Sequence, residues 1–404
     1  MSAPAGLAHV GAVSFLAARV APTGSFWLSL AGGAALARDA ERRGVRAGYA
    51  SSAAAMLETV AIVGPLRFNA PLTQALSAPL LGAMQARGRR PLTQFLACLA
   101  IRLVHYTVLT AFALFVLIGT KAYAGSYHTL FGWLPFLPGG LAGALILTAI
   151  GNVAAALFFS AVQVGFCRHA LTGWSTRVSD PTPRRTAAAP AVPQASGLDP
   201  RIALGVATLV TVVLLFSHSW PVLGAVTAWL AAALIATRHG DRDVLRVGLL
   251  LALTLAAGTL IATLIGGLGA EEIASRTVRA ALLVMVPTWL RLAAGSAGLR
   301  ETFRRALLRL RLPIAREAGE ILSELDSGPL LTGSAKALRD QLRGVEHQPL
   351  PIANAVLTWA AQEAQSVPIH EPRPAAVLRL RPGDAILAAS VLLPAGALAA
   401  ILVP

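Results

Sequence analysis

The chain has 404 residues, of which 55% are hydrophobic and only 13% charged, with a mean hydropathy of +0.65 and a net charge of +15. A soluble domain carries about a quarter charged residues, so these figures exclude an ordinary globular protein and point to an integral membrane protein. The basic excess is almost all arginine, with Lys121 and Lys336 the only lysines, and it clusters in short stretches beside apolar segments. That is the pattern of cytoplasmic loops and of contact with anionic lipid, not of nucleic-acid binding.

A span needs about 20 apolar residues, fewer when it is buried or tilted. Six candidates precede residue 175: Gly6–Val20, Ser25–Ala37, Ala47–Val63, Pro71–Ala86, Thr93–Gly119 and Leu141–Phe166. The N-terminus lacks a basic region and a cleavage site, so the first stretch is expected to stay in the mature chain. Arg38, Arg42, Arg43 and Arg46 follow the second candidate, Arg87, Arg89 and Arg90 the fourth, and Arg168 the sixth. Six spans put all these clusters and the N-terminus on the inner side. Arg67, Asn69 and His128 then fall in outer loops and are candidate substrate-side residues.

Two ionisable residues fall deep within these segments, Glu58 in the third and Arg102 in the fifth. An unpaired charge at that depth is costly, so a Glu58–Arg102 pair is expected, either as a structural tie or as part of an ion path, unless Arg102 snorkels to the interface. Ala31–Ala35 and Gly139–Gly143 have the small-residue spacing that lets helices approach closely. Cys98 and Cys167 suggest neither a disulfide framework nor a zinc site.

Residues 176–197, with Pro181, Pro183, Pro190, Pro193 and Arg184–Arg185, read as an extended cytoplasmic linker. Five further spans follow: Ile202–Phe216, Val222–Ala236, Val247–Leu268, Val278–Ala294 and Ala385–Leu402. The expected fold class is therefore all-α, polytopic, with about eleven transmembrane segments in two modules, 1–175 and 198–404. The N-terminus is inside, the C-terminus outside and the cytoplasmic membrane is the expected location. Arg276 and Arg279, at the outer start of the fourth of these spans, are the exception to the arginine rule.

Between the last two spans lies a basic amphipathic stretch, Leu299–Leu325. Leu299, Phe303, Leu307, Leu310, Ile314, Ile321 and Leu325 draw one apolar stripe, with Arg300, Arg304, Arg305, Arg309, Arg311 and Arg316 between them. Such a helix cannot cross a bilayer, and half of it should lie on the membrane bundle while half faces a partner. Pro313 interrupts it, and Ser334–Val345 and Leu350–Gln365 are two further candidate helices, the latter with Ile352, Val356 and Trp359 on one face.

This order resembles the transmembrane T component of energy-coupling factor (ECF) transporters, the family that includes the CbiQ cobalt permease. The residues that carry it are Leu198–Asp199–Pro200–Arg201, the four spans after it, Leu312–Pro313, and Arg379–Leu380–Arg381–Pro382–Gly383–Asp384 before the closing span. The similarity covers 198–404. It implies that helices at about 299–366 are coupling helices for ABC-type ATPase subunits, engaged through short arginine motifs. Leu342–Arg343–Gly344 matches the first motif, Ala86–Arg87–Gly88 has its form, and no second motif occurs near Ala364–Pro368. Arg343, Gly344, Arg304, Arg305, Arg309 and Arg87 are thus the candidate ATPase-coupling residues. By the same resemblance, residues 1–175 correspond to a substrate-binding S component, for a vitamin or metal ion, unless that component is a separate chain.

The chain has no phosphate loop, no dinucleotide fingerprint and no hydrolase or zinc-protease motif. A non-catalytic subunit is expected, with no cofactor of its own, ATP in partner subunits, and lipid as a further contact. The competing class is a self-contained secondary transporter with Glu58 and Arg102 in its ion path.

Overall fold

The computed structural model describes residues 3–20, 25–64, 69–133, 138–174, 198–237, 241–325, 348–366 and 382–402, with 334, 337–338, 340–342, 345, 378 and 380. The linker expected at 176–197 lies outside the described residues, which are helical throughout apart from caps and turns.

The helices are α1 (Ala3–Val20), α2 (Ser25–Arg43), α3 (Val45–Val63), α4 (Asn69–Ala86), α5 (Pro91–Phe112), α6 (Thr120–Phe131) and α7 (Gly140–Thr172). They continue as α8 (Pro200–Phe216), α9 (Trp220–Ala236), α10 (Arg242–Ile265), α11 (Ala270–Arg309), α12 (Pro313–Glu324), α13 (Pro349–Ser366), α14 (Pro382–Ser390) and α15 (Leu392–Leu402). A π-helical turn, Ala113–Ile118, extends α5.

Five of these helical stretches are long and apolar enough to cross a membrane: Pro91–Ile118, Gly140–Thr172, Arg242–Ile265, Ala270–Arg309 and Pro382–Ala400. Ala5–Ala18, α8 and α9 are apolar but shorter. Val104, Val108 and Phe115 on the first stretch, Ile150 and Phe158 on α7, and Leu250, Leu253 and Ile261 on α10 are all exposed. Apolar faces of this extent require a non-aqueous cover, and a bilayer supplies it. Of the eleven expected spans, those at Ser25–Ala37, Ala47–Val63 and Pro71–Ala86 form α2, α3 and α4 but do not join this set. Five charged residues in α2, Arg46 and Glu58 in α3, and the Asn, Gln and Pro residues of α4 lower their hydropathy, and much of their surface is buried by neighbouring helices.

The chain packs as two compact units, each drawing on both halves of the sequence. Unit 1 comprises 1–102, 156–194 and 300–377; unit 2 comprises 103–155, 195–299 and 378–404.

In unit 1, α2 packs between α1 and α4, while α12 lies on α3 and α1, and α13 on α1 and α2. Small residues make this possible. A Cβ on Gly82 would stand 1.9 Å from the Ala37 carbonyl oxygen, and one on Gly6 2.5 Å from the Ala364 oxygen. Ala31 and Ala35 are fully buried in the same core, which also holds Val356, Leu357 and Trp359 of α13.

In unit 2, α6 packs on α10, α14 on α8, and α15 on α8 and α9. Trp229 meets Trp289 edge-on at 5.0 Å and donates its indole N–H to Ser390 Oγ at 2.9 Å. Gly143 is crowded by Tyr127, whereas Gly139 has no neighbour within 4 Å among the described residues, so that expected spacing is not a helix contact at both ends.

Candidate functional site

The amphipathic stretch is two helices, divided at the expected interruption by Pro313. The helix α11 ends at Arg309, and Leu312 takes the extended conformation (φ −92°, ψ 130°) that a following proline imposes. Pro313, which has no N–H to lose, opens α12 as its first residue. The break shifts the register, so Leu310 and Ile314 of the expected stripe are exposed, as is Leu312 beside them. Instead Ala315, Ala318, Gly319, Ile321 and Leu322 turn inward. Ala318, Ile321 and Leu322, with Leu325, pack on Ala5 and Ala8 of α1 and on Ala50 and Ala54 of α3.

Ion pairs fasten this arrangement within unit 1. Arg43, the last residue of α2, donates Nε and Nη2 to the two oxygens of buried Asp39, at 2.7 and 2.6 Å, and Nη1 to Glu317 of α12 at 2.8 Å. Desolvation alone would lower the Arg43 guanidinium, but its bonds to Asp39 and the field of Asp39 and Glu317 hold it above its ordinary value. Deeper in, Arg300 donates Nε to Glu58 Oε2 at 2.6 Å and Nη2 to Oε1 at 2.7 Å, with both side chains buried. This is the two-pronged geometry in which guanidinium and carboxylate pair most strongly.

A groove of about 900 Å³ opens where α11 gives way to α12. Leu308, Leu312, Pro313 and Ile321 form its apolar part, and Arg43, Arg46, Arg311 and Arg316 with Glu317, Glu320 and Glu324 its charged part. Arg316 and Glu320 pair at 3.2 Å in the open, a contact that contributes little. Arg311 is exposed and has no ion-pair partner among the described residues.

The remaining expected residues fall as follows. Arg304 and Arg305 both bond buried Glu301, at 2.9 and 2.6 Å, and Arg309 is exposed. Arg87 is exposed at the end of α4, where Gly88 (φ +63°) closes the helix through Arg89 N–H to Met84 O and Gly88 N–H to Gln85 O. The Ala86–Arg87–Gly88 form thus has a local cause, a left-handed helix stop that favours glycine. His128 is exposed on α6. Asn69 begins α4, while Arg67, Arg343 and Gly344 lie outside the described residues.

The Glu58–Arg102 pairing is corrected: Arg300 engages Glu58, and Arg102 donates Nη2 to Gln163 Oε1 at 2.6 Å and faces the Phe159 ring at 5.8 Å. Gln163 in turn donates to Ser77 Oγ at 2.7 Å. Sequence reasoning passed over Arg43–Glu317 and Arg300. A buried glutamate signals that it needs a cation, but not which of several arginines the packing delivers.

In unit 2 the motif stretches that are distant in sequence meet. Asp199 caps α8, accepting from Arg201 N–H at 2.9 Å and from Arg201 Nε and Nη2 at 3.0 and 2.6 Å. Those bonds hold the Asp199 carboxyl below its ordinary value. The Asp199 N–H donates to Asp384 Oδ1 at 2.7 Å. Pro200 packs on Gly298, where a Cβ would stand 2.5 Å from Pro200 Cγ. No group of three or more metal-ligating side chains occurs among the described residues.

No family model matches the chain, and neither a curated protein nor a solved structure matches it.

Proposed function

We propose that the chain is the membrane coupling subunit of an ATP-driven importer of the ECF type, passing the work of partner ATPases to uptake of a small substrate such as a vitamin or metal ion. In this reading the protein sits in the cytoplasmic membrane with eleven spans in two modules, N-terminus inside and C-terminus outside. Residues 198–404 act as the T-like part and residues 1–175 as the S-like part.

The observation that carries the reading is the convergence of Leu198–Arg201 with Asp384, two points of the resemblance far apart in sequence, through one hydrogen bond, with Gly298 packed on Pro200 beside it. A second support lies in unit 1, where α12 and α13 pack directly on α1, α2 and α3, so a pull on those helices reaches the S-like segments without a separate chain. The exposed Arg311 and the groove at Leu312–Pro313 offer directed donors to a partner. Glu58 clamped by Arg300 makes a poor ion carrier, which weighs against the secondary-transporter class.

The test is reconstitution in vesicles together with the ATPases that co-purify with the tagged chain. ATP-dependent accumulation of substrate is expected, with Arg343→Glu and Arg311→Glu inserting normally but losing the ATPases. Uptake driven by an ion gradient without ATP, or ATPase-bound Arg343→Glu and Arg311→Glu, overturns the proposal.

A further inference from the structure

Five arginines of this protein present the same edge, Nε and Nη2, to a carboxylate: Arg43 to Asp39, Arg201 to Asp199, Arg276 to Glu272, Arg300 to Glu58 and Arg304 to Glu301. Arg279 on α11 is the counterexample. It is only 3% exposed, and its Nε and Nη2 have no hydrogen-bond partner among the described residues. A guanidinium stays charged at any physiological pH, so a bare, buried edge of this kind is costly unless something accepts from it.

The surroundings in unit 2 raise that cost. Arg276, three residues earlier, adds a like charge and gives Nε and Nη2 to Glu272 at 3.2 and 2.8 Å. Its guanidinium lies against Gly119, where a Cβ would stand 2.5 Å from Nη2. Gly119 is at φ +90°, so both the space and the backbone there favour glycine. Exposed Lys121 lies within electrostatic reach of Glu272. His218, in the turn between α8 and α9, is close enough that desolvation and then the fields of Arg279 and Arg276 push its imidazole below the ordinary value. Lys121 and Arg276 thus gather around one engaged carboxylate, with Arg279 three residues further along α11 and Glu271 exposed at the helix start. These two arginines are also the ones that break the arginine distribution of the chain.

We infer that this cluster holds an oxyanion, the phosphate group of an anionic lipid headgroup or of a free phosphate, with two of its oxygens on the Nε–Nη2 edge of Arg279 and Lys121 and His218 on its solvent side. A planar fork suits two phosphate oxygens as it suits a carboxylate, and the excess positive charge suits a phosphate. The site does not depend on the proposed coupling role, since it uses none of the groove residues.

The experiment uses the full-length chain. Thermal unfolding is followed in neutral detergent with inorganic phosphate against sodium chloride of equal ionic strength, and in nanodiscs of phosphatidylcholine with and without phosphatidylglycerol. A ligand that binds the folded state raises the midpoint. Wild type is expected to gain stability with phosphate if the ligand is free phosphate, and only with phosphatidylglycerol if it is a headgroup. Arg279→Gln should raise the half-saturating concentration about ten- to a hundredfold, the loss of charge-assisted bonds. Arg279→Lys, which keeps the charge but not the fork, should recover only part of it. Lys121→Gln, at an exposed position, tests the site without threatening the fold and should weaken the response several-fold. Equal responses to phosphate, phosphatidylglycerol and matched chloride in wild type, or an undiminished response in Arg279→Gln and Lys121→Gln, overturn the inference.

Discussion

Replacing Arg300 by methionine leaves the Glu58 carboxylate in a site where its side chain is 1% exposed and its bidentate partner is gone. Removing one member of a buried ion pair costs about 3–5 kcal/mol, because the stranded charge loses its compensation and has no water to replace it. For a cooperative unit of 150–250 residues, at about 2–4 °C per kcal/mol, that is a fall of roughly 6–20 °C in the unfolding midpoint. Glu58→Leu alone strands the guanidinium instead and should cost a similar amount. The double variant Glu58→Leu/Arg300→Met removes both charges and fills the space with apolar atoms. It should lie within about 1 kcal/mol of wild type, since pairs of this kind are often neutral on joint replacement. The assay is heating in detergent with loss of the monodisperse peak as readout, backed by a denaturant titration in mixed micelles, run on all four proteins as a double-mutant cycle. A single substitution costing under about 1 kcal/mol, or costs that simply add in the double variant, would refute the claim that this pair binds Arg300 to α3.

Gly295 has φ +67° and ψ 162°, inside α11, a region that essentially only glycine occupies, so Gly295→Ala should cost about 1–3 kcal/mol by the same unfolding assay. Gly82→Ala drives a methyl to 1.9 Å from the Ala37 carbonyl and should destabilise far more than Gly151→Ala, which meets nothing within 4 Å among the described residues. Measuring the two side by side separates crowding from helix propensity. Asp199 is held below its ordinary carboxylate value by Arg201, so its bonds contribute fully above about pH 4 and fade as pH falls through the depressed value. A stability profile of wild type against Asp199→Asn should therefore show the wild-type advantage narrowing on acidification and constant between pH 5 and pH 7, in rough terms.

What the sequence disclosed, and what it hid, divides along one physical line. Local hydrophobicity and proline placement act within a few residues, so the helices at Leu350–Gln365 and Ile202–Phe216 were readable to within a residue or two of α13 and α8, and Pro313 as a break. Which residues meet across the fold depends on register, and register is fixed by packing that no short window contains. The stripe through Leu310 and Ile314 was continuous on paper, yet the turn at Leu310–Leu312 rotates α12 so that Ala315 and Ala318 go inward. In the same way Glu58 announced its need for a cation by lying alone among Ala and Val, while Arg102 and Arg300 were equally available in composition. The choice between them was made by Ala50 and Ala54, whose small side chains let α12 settle on α3, in the same unit that holds the Glu58–Arg300 pair. Among those alanines α3 also carries Arg46, Glu58 and several hydroxyl side chains, which is why it falls short of the set of long apolar helices. A segment that mixes such charged and polar residues with small ones packs against protein rather than lipid, so the segments least convincing as spans were the ones to suspect as the floor under the arginine helices.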